Sequence, residues 1–182
     1  MLKINWLWTL PKHAWSFKPV GVVLNHWQLS GIYNAQSGAP VNVGYSLVTA
    51  ADLSGTPSIA PRIMVTGDPN LPAGERAFSR NFRADVFRVP AAGTLGFMTK
   101  NMLTGPGINN FDLAIFKNFP LREALRLQFR AELYNALNHT QFSAFDSAAR
   151  FDASGNQVNT QFGQFTAARD PRTMQLAVRL SF

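Results

Sequence analysis

The chain has 182 residues, and its 17 Lys and Arg against 10 Asp and Glu give a formal net charge of +7. It contains no Cys, which excludes a disulfide framework, a thiol nucleophile and a cysteine metal site. Charged residues make up 15% of the chain, whereas soluble domains carry about 25%. With 15 Phe, 4 Trp and 3 Tyr, this composition favours a sheet with one apolar and one polar face.

The positive charge could indicate nucleic-acid binding or scattered surface charge. Lys and Arg are dispersed, and the densest group, in residues 62–88, lies in a region with several Pro and Gly. Nucleic-acid binding requires basic residues clustered on one face or along one element. We therefore expect no nucleic-acid partner.

Residues 2–10 form the first predicted strand. Apolar and polar side chains alternate there with a period of two, as they do in a strand with two different faces. Pro11 ends the run because it cannot donate a hydrogen bond to a ladder. The apolar face carries Leu2, Ile4, Trp6, Trp8 and Leu10.

A second strand is predicted within residues 22–45. In the segment WQLSGIYNAQS, Trp27, Leu29, Tyr33 and Ala35 share one face, and Ile32 is the exception on the polar face. Aromatic residues of these two strands are typical of the girdles at a membrane interface. This explanation is simpler than ligand stacking for Trp6, Trp8, Trp27 and Tyr33.

The third and fourth predicted strands are residues 109–119 and 126–137. Ala, Glu, Leu and Arg in the fourth segment also favour a helix. A helix would distribute the polar residues around its circumference, whereas a strand places them all on one face. Strand is therefore the better prediction, with a polar face of Arg126, Gln128, Arg130 and Glu132.

The register of this hairpin is constrained because the odd-numbered residues of both strands must share the apolar face. The residue numbers of two directly paired residues must then have an even sum, and the position of the turn leaves 244 or 246. The first sum places Asp112 opposite Glu132, which is unfavourable because the charges are alike. We predict the second sum, with Asp112 opposite Tyr134 and Phe116 opposite Arg130.

The last predicted strand, RTMQLAVRLSF, ends the sequence with an aromatic residue. One face is apolar and the other is polar, which is typical of the closing strand of an outer-membrane β-barrel. Such an end also serves as an assembly signal in these proteins. The residues of the predicted signal are Met174, Leu176, Val178, Leu180 and Phe182.

The connections between the predicted strands differ in length. A short turn joins the third strand to the fourth, whereas residues 46–108 and 138–171 form long loops. No run of about 18 apolar residues could form a spanning helix, so a closed barrel remains the way to cross a membrane. The sequence predicts an all-β fold. It is an antiparallel transmembrane β-barrel segment of about five long strands, with short periplasmic turns and long extracellular loops.

The polar faces of these strands are predicted to line the barrel lumen. An alternative is a catalytic cluster, but alternating charges in a barrel wall usually form a solvated ladder. No nucleophile elbow, phosphate loop or zinc motif is present, and His13, His26 and His139 lack metal-ligand spacing. We expect no enzyme activity, no cofactor and no metal. The predicted lumen-facing residues are Asp112, Arg126, Gln128, Arg130, Glu132 and Arg179.

Four segments carry a resemblance to a known family: WQLSGIYNAQSGAPVNV, NMLTGPGINNFDLAIFKNF, LRLQFRAELYNALNHTQF and FGQFTAARDPRTMQLAVRLSF. In order and spacing the chain resembles the carboxyl-terminal barrel portion of TonB-dependent receptors. It is most similar to the Oar-like group, which has a carboxypeptidase-regulatory-like amino-terminal domain. The resemblance covers nearly the whole chain from Trp27.

The resemblance implies a barrel of about 22 strands that surrounds an amino-terminal plug. Five strands cannot close such a barrel, since bacterial barrels have at least about 8. The first residues, MLKINWLWTLPK, do not resemble a signal peptide, because Asn5 and Thr9 interrupt the apolar run. We therefore expect residues 1–182 to be a carboxyl-terminal barrel piece, with the plug absent.

The implied function of the parent protein is uptake of a bulky ligand across the outer membrane of a Gram-negative-type bacterium. One alternative is a structural or adhesive outer-membrane barrel without energy coupling. A second alternative is a soluble β-sheet binding module, in which the apolar sheet face is covered. The expected partners are outer-membrane lipid, the barrel-assembly machinery, and the missing amino-terminal barrel and plug.

Overall fold

A computed structural model describes residues 1–49, 62–96, 102–122 and 125–182. Parts of the predicted loop 46–108 (residues 50–61 and 97–101) and residues 123–124 of the predicted short turn lie outside the described residues. Short 3-10 helices occupy Ala73–Glu75 and Ala84–Val86. The other elements are β1 (Leu2–Thr9), α1 (Lys18–Leu24), β2 (Trp27–Gln36), β3 (Pro40–Val41), β4 (Gly44–Leu47), β5 (Met64–Val65), β6 (Phe87–Arg88), β7 (Leu103–Thr104), β8 (Ile108–Pro120), β9 (Arg126–Tyr134), β10 (Phe142–Phe145), β11 (Ala148–Phe151), β12 (Phe165–Ala168) and β13 (Thr173–Ser181).

The chain divides into two compact units. The first, called the sheet unit, contains Met1–Gln36, Ile108–Gln141 and Asp170–Phe182. The second, called the loop unit, contains Ser37–Gly107 and Phe142–Arg169. The sheet unit holds the five long strands, and the loop unit holds most of the two predicted long loops.

The sheet unit is one antiparallel sheet with the strand order β1-β2-β8-β9-β13. Sequence-adjacent long strands are therefore neighbours in space, and all five predicted strands are confirmed. Within the described part of the chain, β1 and β13 are the two edges. No helix among the described residues is long and apolar enough to cross a membrane.

The predicted register of the β8–β9 hairpin is confirmed. Leu113 pairs with Leu133 and Phe116 with Arg130, so the paired numbers sum to 246. The Asp112 carboxylate accepts a hydrogen bond of 2.9 Å from the backbone N–H of Asn135, one residue beyond β9. The like-charged pairing of Asp112 with Glu132 is thereby avoided.

The boundaries of two predicted strands are wrong. The fourth strand ends at Tyr134 rather than at residue 137, because Asn135 and Asn138 have positive φ angles of 51° and 52° in a turn. Asn accepts this left-handed conformation more readily than most residues. The second strand begins at Trp27 rather than near residue 22, because α1 occupies the preceding residues and His26 has a φ of 61°. It ends at Gln36 rather than near residue 45, and the shorter strands β3 and β4 follow it.

Trp6 and Gly31 show how a small residue is used inside the sheet. The two residues are directly paired across β1 and β2. A Cβ atom added at Gly31 would lie 2.5 Å from Nε1 of Trp6, so the indole occupies the space that another side chain would need. The ring covers the glycine backbone, so that Gly31 is buried, which is a recognised way to support glycine in a sheet.

The loop unit has a hydrophobic core of its own. Phe82, Phe87, Phe151 and Phe162 are buried in it, and the first two meet edge to face with ring centroids 5.6 Å apart. The β4 strand, at the start of the first long connection, pairs in parallel with β11, which lies within the second. The described residues of 46–108 and of 138–171 are therefore folded together rather than forming independent loops.

Replacing Phe87 by Ala tests this shared core. Phe87 is fully buried, and such a truncation costs about 3 to 5 kcal/mol of unfolding free energy. We expect faster amide hydrogen exchange in β11, which belongs to the other connection. The control Leu95→Ala removes an exposed side chain of the same loop. Equal exchange rates in β11 for both variants would contradict a shared core.

The hairpin register is testable with paired cysteines, because the chain has none of its own. Ala114 lies directly opposite Glu132, whereas Asp112 lies diagonal to it. Directly opposed Cβ atoms are about 4.5 to 5.5 Å apart, and diagonal ones are about 7 to 8 Å apart. We expect a cysteine pair at 114 and 132 to oxidise to a disulfide and a pair at 112 and 132 to remain reduced, as measured by mass spectrometry. Preferential oxidation of the second pair would refute the register.

Candidate functional site: the two faces of the sheet

The candidate site is the sheet itself, because the pairing of its strands separates apolar from polar residues. One row of directly paired residues crosses all five strands and is formed by Trp6, Gly31, Leu113, Leu133 and Met174. The adjacent row on the same face is formed by Trp8, Leu29, Ile115, Ala131 and Leu176. The period-two patterns of the separate strands therefore combine into one continuous apolar face.

The apolar face is open to its surroundings at both edge strands. Leu176, in the middle of β13, is 70% exposed, and all five residues of the predicted assembly signal are exposed. A contiguous apolar surface of this kind marks a protein-binding or membrane-binding surface. The soluble alternative requires a covered sheet face, and nothing among the described residues covers this one at β13.

The aromatic residues assigned by sequence to a girdle lie on this apolar face. Trp6 and Trp8 in β1, and Trp27 and Tyr33 in β2, occupy alternate positions that all face the apolar side. Amphipathic rings at such positions are typical of membrane–water interfaces.

The opposite face is polar and contains every predicted lumen-facing residue. Arg130 and Glu132 form an ion pair along β9, and the Arg130 guanidinium lies 5.2 Å from the Phe116 ring centroid. Arg179 is paired with Gln128, and Arg126 lies between Pro120 and Ser181. The described residues of this face therefore form a charged and hydrogen-bonded wall.

A chain of hydrogen bonds crosses four strands of the polar wall. Gln128 donates to Asn118 at 2.8 Å, Asn118 donates to Gln28 at 3.5 Å, and Gln28 donates to Thr9 at 3.3 Å. Asn118, Gln28 and Thr9 were not among the predicted lumen-facing residues. Their alternation with the apolar residues was the signal that could have identified them.

Asp112 organises the other end of the wall. Its carboxylate accepts a hydrogen bond of 2.8 Å from the side chain of Asn110, in addition to the one from Asn135. Gln141 in turn donates to Asn110 at 3.1 Å and accepts from the backbone N–H of Asn109 at 3.0 Å. These bonds fix the turn that follows β9 against β8. They give Asp112 a structural role.

A basic cleft of about 720 Å³ lies in the sheet unit beside the short β8–β9 turn. Lys12, His26, Arg122 and Arg126 contribute to its lining. Loss of contact with water lowers the pKa of His26, and the charges of Lys12 and Lys117 lower it further. The cleft favours anions through its Lys and Arg side chains, while His26 is disfavoured as a cation.

The loop unit contains a smaller cleft of about 260 Å³ that is rich in aromatic residues. The rings of Phe142 and Phe165 are stacked there with centroids 3.9 Å apart, and Phe78 lies 5.8 Å from Phe142. This cleft presents apolar ring faces together with Arg76 and Asn81. Such a lining suits one ring-sized group with a polar edge.

Hydrogen-bonded turns stabilise the surface of the loop unit. The Asp152 carboxylate accepts bonds from the backbone N–H groups of Asn156 at 2.8 Å and Ser154 at 2.9 Å. These bonds, chiefly those from Asn156, lower the pKa of Asp152. Among the described residues, no group of three or more His, Asp or Glu is arranged to hold a metal ion.

A charge placed on each face tests which one contacts lipid. Ile115 lies on the apolar face and its neighbour Ala114 on the polar face. Arg in the lipid-facing wall of a barrel costs about 2 to 4 kcal/mol at mid-membrane, whereas lumen positions tolerate it. We expect Ile115→Arg to reduce the amount of chain in the outer-membrane fraction and Ala114→Arg to leave it unchanged. The reverse order would show that the faces are assigned wrongly.

The comparison with known families agrees with this two-faced sheet. The family model described as "Outer membrane beta barrel domain" matches residues 1–175. No curated protein and no solved structure gave a match. The matched range includes β1, β2, β8 and β9 in full and ends within β13. The chain therefore belongs to the outer membrane beta barrel domain family and is a protein of the bacterial outer membrane.

Proposed function

We propose that the chain is the carboxyl-terminal barrel portion of a TonB-dependent receptor of the Oar-like group, whose parent protein takes up a bulky ligand. The observation that carries this proposal is the loop unit, in which both long connections share one aromatic core. Receptors for bulky ligands need an extensive folded surface outside the membrane. A pore lined only by the polar wall would not need such a folded surface.

The role that we propose for each surface follows from its chemistry. The apolar face contacts outer-membrane lipid, and the wall of Asp112, Gln128, Arg130 and Glu132 lines the lumen. The loop unit contacts the ligand on the extracellular side. The apolar residues of β13, which end with Phe182, are the signal read by the barrel-assembly machinery. The role is not enzymatic and involves no nucleic acid.

The edges of the sheet suggest the remaining partners. Backbone N–H and C=O groups on the outer sides of β1 and β13 need hydrogen-bond partners in lipid, because no water is available there. We propose that strands of an amino-terminal barrel pair with both edges. A plug inside the completed barrel would then gate uptake.

A structural or adhesive barrel without energy coupling is the second candidate. The aromatic cleft of the loop unit favours it, because about 260 Å³ accommodates one ring-sized group rather than a bulky ligand. A repeated surface group bound by many copies of the protein would suit such a cleft. This role needs neither a plug nor an energy supply.

Deletion of the gene, with and without the energy-coupling protein TonB, separates the two candidates. If the protein is part of a receptor, deleting its gene should abolish uptake of one ligand from a panel of bulky nutrients. Loss of TonB should abolish the same uptake, and deleting the gene in a strain without TonB should reduce this uptake no further. An adhesive barrel predicts weaker surface attachment that does not depend on TonB. As a matched control, the gene carrying Ala114→Arg should restore the phenotype and the gene carrying Ile115→Arg should not.

A further inference from the structure

Lys117 is the exception on the apolar face. It lies between Trp27 and Phe129 in a row of paired residues, and no other charged residue among the described ones belongs to this face. Yet it is only 5% exposed. A buried charge requires strong polar partners, so the contacts of Lys117 need an explanation.

The Lys117 ammonium binds the end of α1. It donates to the carbonyl of Val22 at 2.7 Å and also to the carbonyl of Asn25. The indole N–H of Trp27 donates to the carbonyl of Val23 at 2.8 Å. The last carbonyls of a helix lack intrahelical partners, so these bonds satisfy them. Because Lys117 and Trp27 both point to the apolar side, the end of α1 lies on that side of the sheet.

Asn25 closes the segment around α1 into a loop. Its side-chain oxygen accepts from the backbone N–H of His13 at 3.0 Å, and its side-chain amide donates to the carbonyl of His13 at 2.9 Å. Residues 13–25, called the anchor loop, therefore begin and end at the same point. The Lys117 ammonium holds the carboxyl-terminal part of this loop.

The outer surface of the anchor loop is apolar. Phe17 is 67% exposed and Val23 is 58% exposed, and Trp15, Val22 and Leu24 are exposed as well. Lys18 lies at the start of the helix. Exposed aliphatic and aromatic residues next to a Lys are typical of segments that lie at the boundary between headgroups and acyl chains.

We propose that the anchor loop is a membrane-interface anchor, inserted into the bilayer beside the lipid-facing side of the sheet. Lipid is the expected partner of the anchor loop, because the exposed apolar residues of this loop continue the apolar face of an outer-membrane protein. Lys117 is three residues from the end of β8, which is about 10 Å along a strand. At that depth Lys117 binds helix carbonyls, and Lys18 remains free to reach lipid phosphates.

Single-cysteine spin labels in outer-membrane preparations of the full chain test this proposal, because the native chain has no Cys. Labels at Phe17 and Val23 probe the anchor loop. A label at Ile115 reports the lipid-facing side of the sheet, and a label at Arg126 reports the polar cleft at the same end. The probes are molecular oxygen, which concentrates in lipid, and a water-soluble nickel complex.

We expect labels at Phe17 and Val23 to resemble the Ile115 label, with oxygen accessibility several-fold above nickel accessibility, and the Arg126 label to show the opposite. If Val23 is as accessible to nickel as Arg126, the anchor loop lies in water and the proposal is wrong. If Val23 is shielded from both probes, a protein covers it, which also refutes the lipid occupant. A water-exposed Ile115 would refute the continuity on which the proposal rests.

A second variant tests the role of Lys117 without adding charge to the apolar face. Lys117→Met removes the bonds to the α1 carbonyls and suits a lipid-facing surface. We expect it to increase nickel accessibility and mobility of the Val23 label several-fold. The matched control Lys3→Met removes an equal charge from the polar side of β1, outside the anchor loop, and should leave the label unchanged. An unchanged Val23 label in Lys117→Met would show that Lys117 does not hold the anchor.

Discussion

The structure depends on the parity of strand pairing in the sheet unit. A membrane-crossing sheet must satisfy its backbone groups through neighbouring strands, and a shift of one residue would move a whole strand's apolar set to the other face. On the apolar face the central pairings keep apolar opposite apolar, from Trp6 with Gly31 to Leu133 with Met174, and Lys117 is the charged exception. The lipid-facing surface, the polar wall and the basic cleft all follow from this one condition.

Lys117 shows how strict this condition is. A one-residue slip could have placed the ammonium on the polar face, but it would also have turned Leu113 and Ile115 away from lipid. The chain keeps the register and satisfies the charge locally, with the carbonyls at the end of α1 and the rings of Trp27 and Phe119. The short connection between β1 and β2 thus contains a helix rather than a simple turn.

The long strands and the hairpin register were predictable because they depend on local alternation and on one unfavourable charge pair. The helix α1 was not, since what holds it is Lys117, more than 90 residues away in the sequence. The core of the loop unit could not be predicted for a similar reason. Phe82, Phe87 and Phe151 follow no common sequence period, and they meet only after both connections fold. The face of each lumen-assigned residue followed from parity alone, whereas the hydrogen bonds of Asp112 required the turn at Asn135.

The same backbone requirement that sets the parity also sets what the sheet needs at its edges. In water, β1 and β13 could leave their outer N–H and C=O groups to solvent, but in lipid each unpaired group costs several kcal/mol. If β1 and β13 paired with each other, the five strands would have to form a closed barrel, whereas the smallest bacterial barrels have roughly eight strands. The strands proposed to pair with both edges would meet this requirement. Apolar side chains on β13 and a terminal aromatic residue alone cannot stabilise it there.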